Sequence, residues 1–259
     1  LFTYKISLKK ALCSCMLKIK CNVKTCLRAA LATLVYVVCT LNLVAQERVI
    51  TTGVPFLLIT PDARGAAMGE QGVATSVDAF SQQWNPAKYV FSEQKSGFGV
   101  SYTPYLSKLV NDIFLANITY FNKNTDRSAW AASLKYFSLG DIVLNDLVAG
   151  TIIEQGIERP NELTLDFSYA LLLNTKYSMA VAARFIRSDL KISSDLDATS
   201  ANTLGIDIAG FYKSDLFDFS DKKARLRLGF NISNIGPRLK YDEGGQKNFI
   251  PTNLKLGSG

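Results

Sequence analysis

From Gly97 onward the chain alternates apolar and other residues in runs of about ten, a period and length that call for β-strands rather than helices. In the clearest run, Leu163, Leu165, Phe167, Tyr169 and Leu171 point one way, and Glu162, Thr164, Asp166, Ser168 and Ala170 the other. The stretch 203–212 repeats this, with Leu204, Ile206, Ile208 and Tyr212 against Gly205, Asp207 and Ala209. So does 224–232, with Leu226, Leu228, Phe230 and Ile232 against Arg225, Arg227, Gly229 and Asn231. Noisier alternation covers 97–106, 113–122, 128–140 and 177–190, which makes seven full strands, and 252–259 begins an eighth.

Turn residues separate the runs at 122–126, 174–176 and 221–223, and the links alternate roughly between short and long, with 141–161 and 190–202 the longest. Short turns at one end and long loops at the other is the pattern of an outer-membrane barrel, and strands of about ten residues cross a bilayer when tilted. A soluble sandwich also alternates, but its strands usually run about 5–6 residues. Two further features favour the barrel. One face is almost purely apolar while the other carries Asp166, Arg184, Asp207, Arg225 and Arg227, which are expected to face the lumen. Aromatic residues gather toward strand ends, at Tyr120, Phe121, Tyr136, Phe137, Phe211 and Tyr212, where an interfacial girdle would lie. A charge facing lipid costs about 2–4 kcal/mol at the midplane, whereas a lumen hydrates or pairs it. Which carboxylate meets which arginine depends on register.

Residues 46–96 read differently. Pro61-Asp62-Ala63-Arg64-Gly65-Ala66-Ala67-Met68-Gly69 and Trp84-Asn85-Pro86-Ala87 are rich in small and turn-forming residues, which points to short helical turns and loops. This stretch buries little apolar surface by itself and needs a container.

The first 45 residues form a third region. Seven of the 29 basic residues and none of the 22 acidic ones lie there. An apolar run, Ala29 to Leu41, follows and ends at Asn42-Leu43-Val44-Ala45, which reads as a secretory signal peptide cleaved near Ala45. The run is shorter than the roughly 20 residues of a membrane-spanning helix. A lipoprotein signal at Cys39 fits less well, because Val38 precedes it where a small residue is expected.

This distribution disposes of other functions. The formal charge of +7 resides in the leader, so residues 46–259 carry no basic footprint for nucleic acid. All five cysteines (Cys13, Cys15, Cys21, Cys26, Cys39) precede residue 40, which leaves the rest without disulfide or thiolate chemistry. There is no histidine, so Ser-His-Asp and Cys-His catalysis and His-ligated metals are excluded, and no catalytic constellation, metal site or cofactor is expected. Asp189, Asp195 and Asp197 lack calcium-loop spacing, and the glycosylation matches at Asn117 and Asn231 fall within strands.

The two stretches 62–69 and 84–87 resemble the opening of the FadL-like outer-membrane barrels, and within them the PorV/PorQ family of the type IX secretion system. Thr51-Thr52-Gly53-Val54-Pro55-Phe56-Leu57 and Ser133-Leu134-Lys135-Tyr136-Phe137-Ser138-Leu139-Gly140 look closer to PorV than to PorQ. The resemblance covers about residue 47 to the end. It implies an all-β, transmembrane antiparallel barrel, 14-stranded in the full family member, with residues 46–96 as an N-terminal plug and 97–259 as a barrel incomplete at its C-terminal end. The sequence also starts at Leu1 rather than Met, so truncation is expected at both ends.

It also implies a function in the outer membrane of a Gram-negative, Bacteroidetes-type bacterium. The barrel would not be an enzyme. It would accept secreted cargo through a C-terminal signal domain at a translocon barrel and deliver it to a surface sortase, which attaches it to lipopolysaccharide. Cargo contacts are expected from the loops 141–161 and 190–202. The alternatives are a FadL-like transporter of hydrophobic small molecules and a secreted sandwich acting as an adhesin. A transporter should show a continuous apolar pocket behind the plug, and a docking barrel a filled lumen with prominent loops.

Overall fold

A computed structural model describes residues 52–148, 151–190, 199–219, 222–241 and 247–259. The leader, with its cysteines, and the aspartates 195 and 197 lie outside the described residues. Among the described residues twelve strands follow one another: β1 (Ser96–Pro104), β2 (Ile113–Thr125), β3 (Ser128–Leu139), β4 (Ile142–Val148), β5 (Thr151–Glu158), β6 (Asn161–Asn174), β7 (Tyr177–Asp189), β8 (Ala201–Lys213), β9 (Phe217–Phe219), β10 (Lys222–Ala224), β11 (Arg227–Ile235) and β12 (Asn253–Ser258). Eight of them form one antiparallel meander in the order β1-β2-β3-β6-β7-β8-β11-β12. These are the seven alternating runs and the start of an eighth read from the sequence. The fold is all-β, an open outer-membrane-barrel-like sheet, in which β1 and β12 each pair on one side only among the described residues. No helix among those residues is long and apolar enough to cross a membrane.

Two hairpins depart from the expectation. β4–β5 occupies most of the stretch read as a long loop, and β9–β10 interrupts the link between β8 and β11. The first escaped notice because Ile142-Val143-Leu144 and Ile152-Ile153 are unbroken apolar runs, which carry no period-two signal. The strand expected over 224–232 is displaced to Arg227–Ile235 for the second reason.

The meander sorts the connections into two ends. The links that follow β1, β3, β7 and β11 leave from the upper end, and the tight turns 126–127 and 175–176 lie at the lower end, where β8 ends and β11 begins. The central strands β2, β3, β6, β7 and β8 are 12 to 14 residues long. At about 3.3 Å per residue and a tilt near 45°, such strands cover roughly 30 Å, the thickness of a hydrocarbon core.

The outer face inverts the rule for soluble proteins. Leu165, Phe167 and Tyr169 of β6 are 53%, 54% and 50% exposed, whereas Thr164, Asp166 and Ser168 between them are 0%, 2% and 1% exposed. Aromatic rings run across this outer face in two rows. Tyr102, Phe114 and Tyr136 are in contact near the upper end, and Tyr120, Trp130 and Phe167 near the lower end, with centroids 5.1 to 6.0 Å apart. Tyr136 and Trp130 are separated by six residues of β3, about 20 Å along a strand, close to the ~25 Å apolar band between aromatic girdles. The membership differs from the sequence reading. Phe121 and Phe211 are buried on the inner face and Phe137 packs against an inner cluster, because adjacent residues of a strand must face opposite ways.

The inner face is covered by residues 52–95. They carry a 3-10 helix (Pro55–Leu58), α1 (Ala63–Ala67), α2 (Ser81–Trp84) and a second 3-10 helix (Pro86–Phe91). The segment traverses the sheet from end to end. Near the upper loops, Val54, Phe56 and Leu57 pack with Ile186, Ala201, Leu239 and Ile250. At the lower end, Ala87, Tyr89 and Val90 pack against Phe121, Phe211 and five alanines of the sheet (Ala129, Ala131, Ala170, Ala180, Ala209). The sheet offers small residues where the segment brings large ones, so each fills the volume that the other leaves.

Candidate functional site: the filled inner face

The motif Asp62 to Gly69 folds as a capped turn of helix. Asp62 is the N-cap of α1 and its Oδ2 accepts the Gly65 amide at 2.7 Å, the usual solution for an unpaired helical N–H. Its Oδ1 accepts the Trp84 indole N–H at 2.8 Å, so one carboxylate joins both halves of the motif. Gly65 is required by that packing, since a Cβ would lie 2.8 Å from Trp84 Cζ2. Gly69 ends the helix with φ of +72°, a conformation that glycine adopts without strain. Arg64 forms an ion pair with Asp78 at 2.9 Å, and Met68 is exposed.

Asn85, Pro86 and Ala87 fix the segment to the sheet. The fully buried Asn85 donates through Nδ2 to the carbonyls of Val73 (3.0 Å) and Gly210 on β8 (2.9 Å), while its Oδ1 accepts the Ala87 amide at 3.1 Å. Pro86 opens the second 3-10 helix, where a missing N–H costs nothing. The Ala87 carbonyl accepts from Ser178 of β7 at 2.7 Å, and the Trp84 carbonyl from Asn231 of β11 at 2.9 Å. Gly229 of β11 lets the segment approach, since its Cβ would lie 2.5 Å from the Val73 carbonyl oxygen. The two glycosylation matches are therefore interior positions: Asn231 is 0% and Asn117 4% exposed.

Between the two apolar clusters lies a belt of buried charge. Asp166 and Arg184 are register partners on β6 and β7, and their side chains form an ion pair. Arg184 also reaches Asp207 of β8 at 3.1 Å and donates to the Asn234 side chain of β11. Ser133 donates to Asp166 at 2.9 Å, and the Asn234 amide to Asp207 at 2.7 Å. Asn234 enters because β11 shifts register between Ile232 and Ile235 and bends through a φ of +60° at this residue, a bulge that re-aims one side chain. Every carboxylate of the belt thus has partners, as buried charges require.

Of the five charges expected in the lumen, three meet in this belt. The other two do not join it. Arg227 stands at the lower end of β11, and no ion pair holds it among the described residues. Arg225 precedes β11 in the link 214–226, where it is exposed and lies outside the belt. The displaced strand start explains it: outside the strand, alternation does not govern direction.

Other interior residues escaped the sequence reading. Lys135 is 2% exposed on β3, two residues from Ser133 on the same face, and that phase was the available signal. Lys88 follows Asn85-Pro86-Ala87 and is 0% exposed, with Nζ donating to the Gly72 carbonyl at 2.6 Å and to Thr75 Oγ1 at 3.3 Å. Burial lowers its pKa to about 8. No sequence period marks it. Among the described residues no group of His, Cys, Asp and Glu side chains could hold a metal.

No curated protein matches the chain. The family model of the type IX secretion system protein PorV matches residues 42–259, which includes the whole sheet, the segment on its inner face and both motifs. This chain belongs to that family of type IX secretion system proteins.

Proposed function

We propose that this protein is a docking and shuttle barrel of the type IX secretion system, with residues 46–96 as its plug and 97–259 as barrel. It takes cargo by the C-terminal signal domain at the translocon barrel and passes it to the surface sortase for attachment to lipopolysaccharide. Its setting is the outer membrane of a Bacteroidetes-type bacterium, with residues 1–45 as the export signal. The observation that carries this reading is the filled interior. Segment 52–95 occupies the inner face from end to end, and the Asp166–Arg184–Asp207 belt crosses it. A conduit for hydrophobic molecules would have to remove both. The upper end supplies docking surface, because Leu106, Leu109 and Val110 in the first loop are 61%, 80% and 40% exposed, and Val143 and Ile157 on the β4–β5 hairpin 48% and 51%.

The test is a pull-down of the tagged full-length protein from outer membranes, beside a variant lacking residues 142–158, with mass spectrometry of both. Recovery of a large translocon barrel, a sortase or proteins sharing a C-terminal signal domain is expected, with some of them lost from the variant. A barrel that brings down only lipid or fatty acid would overturn the docking role in favour of transport.

A further inference from the structure

Between β3 and β6 the chain makes a sheet of its own, in which β4 and β5 pair only with each other among the described residues. The hairpin therefore presents two free edges, each a row of amide and carbonyl groups without a ladder partner. The two edges are not equivalent. Leu144 faces Gly156 and Asn145 faces Glu154, so β5 carries one residue more than β4. That bulge, with Gly156 at a φ of +156°, disrupts the edge of β5. β4 runs unbroken for seven residues, Ile142–Val148, about 23 Å of strand.

The flank of β4 is not covered by its neighbour in the sheet. β1 and β2 close at Tyr105, whose amide donates to the Ile113 carbonyl at 2.9 Å, and Ile113 is the register partner of Leu139, the last residue of β3. β2 thus begins where β3 ends and has no residue to set beside β4. The root of the hairpin is held firmly. Arg159 grips Asp141 through two bonds, Nε to Oδ1 at 3.1 Å and Nη2 to Oδ2 at 3.3 Å, and the Asp141 amide donates to Asp112 Oδ2 at 2.6 Å. Just beyond this clamp Ile142 and Val143, which must point to opposite faces, are both exposed. At its base the hairpin therefore stands clear on both faces, and a two-stranded ribbon in water is only marginally stable by itself. A third strand would complete it. The usual guards of an edge are missing, since residues 142–158 contain no lysine, arginine or proline. They do contain three acidic residues.

We propose that the β4 edge binds an extended segment of a partner polypeptide by strand addition, and that this segment alternates apolar side chains with lysine or arginine. The edge supplies main-chain hydrogen bonds, and the exposed Val143 with its cross-strand neighbour Ile157 supplies apolar contact. The acidic excess selects a basic strand over an acidic one. The inference rests on the docking role, because it names the chemistry by which the docked protein is held. It uses neither β1 nor β12.

The full-length protein in zwitterionic lipid nanodiscs would be titrated with three fluorescent peptides of about eight residues, the length of such an edge, and read by anisotropy. One alternates valine with lysine and the second valine with glutamate. The third repeats the first with alternate backbone amides methylated, which removes strand pairing and keeps the side chains. The first is expected to bind one per protein, about tenfold or more tighter than the other two, and to protect amides within 142–148 from hydrogen exchange. Val143→Lys, at an exposed position, should weaken it about fivefold by setting a like charge on the edge. Val143→Glu should not weaken it, and Thr175→Lys in a lower turn should leave it unchanged. Equal binding of the methylated peptide, or protection that spares 142–148, would overturn strand addition. So would a dimer of the protein that forms through this hairpin and is lost in Val143→Lys, since the occupant would then be a second copy. The pull-down of the tagged protein separates this inference from the docking role. Secretion partners lost with residues 142–158, together with no peptide binding, would leave the docking role standing and remove the edge. Peptide binding with no secretion partner recovered would keep the edge and remove the docking role.

Discussion

The two faces of one strand, β6, behave as if they belonged to different proteins. Leu165, Phe167 and Tyr169 stand half exposed on the outer face, while Thr164, Asp166 and Ser168 are buried on the inner one. In water this arrangement would fail twice, by exposing apolar area at about 25 cal/mol per Å² and by burying charge. Both costs vanish when the outside is lipid and the inside is filled with partners. The contrast teaches that here the solvent is sorted by side of the sheet, and that the interior is stabilised by pairing rather than by apolar volume alone.

Three changes would break or sharpen that contrast. The largest effect is expected from Arg184→Leu, which leaves Asp166 and Asp207 facing each other without their shared cation. Removing one partner of a buried pair costs about 3–5 kcal/mol, to be read as a lower urea midpoint for unfolding from bilayers. An unchanged midpoint would mean that the belt is hydrated. Next comes Phe167→Lys, which places a charge on the outer face of β6. A loss of about 2–4 kcal/mol is expected in bilayers, whereas a face bathed in water would gain from the change.

The smallest effect tests the inner segment through Lys88. Its folded pKa, lowered by burial to about 8, lies below the ordinary 10.5 of the unfolded chain. Between these values the unfolded state binds more protons, so stability rises with pH across that window and is flat in this respect below pH 8. From pH 8 to 9 the gain is about 1 kcal/mol. Lys88→Met should remove that increment from the pH profile, and an identical slope in both proteins would show that Lys88 is hydrated.

Much of the fold was legible because period two is a local property. Leu165 and Asp166 differ in face wherever the strand pairs, so the orientation of β6, β7 and β8 followed from composition along the chain. Period two carries no information where alternation is absent or ends. Ile142-Val143-Leu144 concealed β4, and the late start of β11 put Arg225 at the rim instead of the interior. Of the inner site, Asp62, Trp84 and Asn85 were singled out as a motif, but not what each holds.

The sequence by itself determined that strands of this length and polarity need lipid on one side and partners on the other, because side-chain direction in a strand is set by its own backbone. It also set the segment 46–96 apart as one that cannot bury itself. Only the tertiary structure decided which partners meet. Arg184 lies between Asp166 and Asp207 because β6, β7 and β8 are neighbours in one register, and Asn234 joins them through a bulge in a fourth strand. Asn85 closes its hydrogen bond on Gly210, 125 residues away. Such pairings depend on how strands stack and slide, which no local period records.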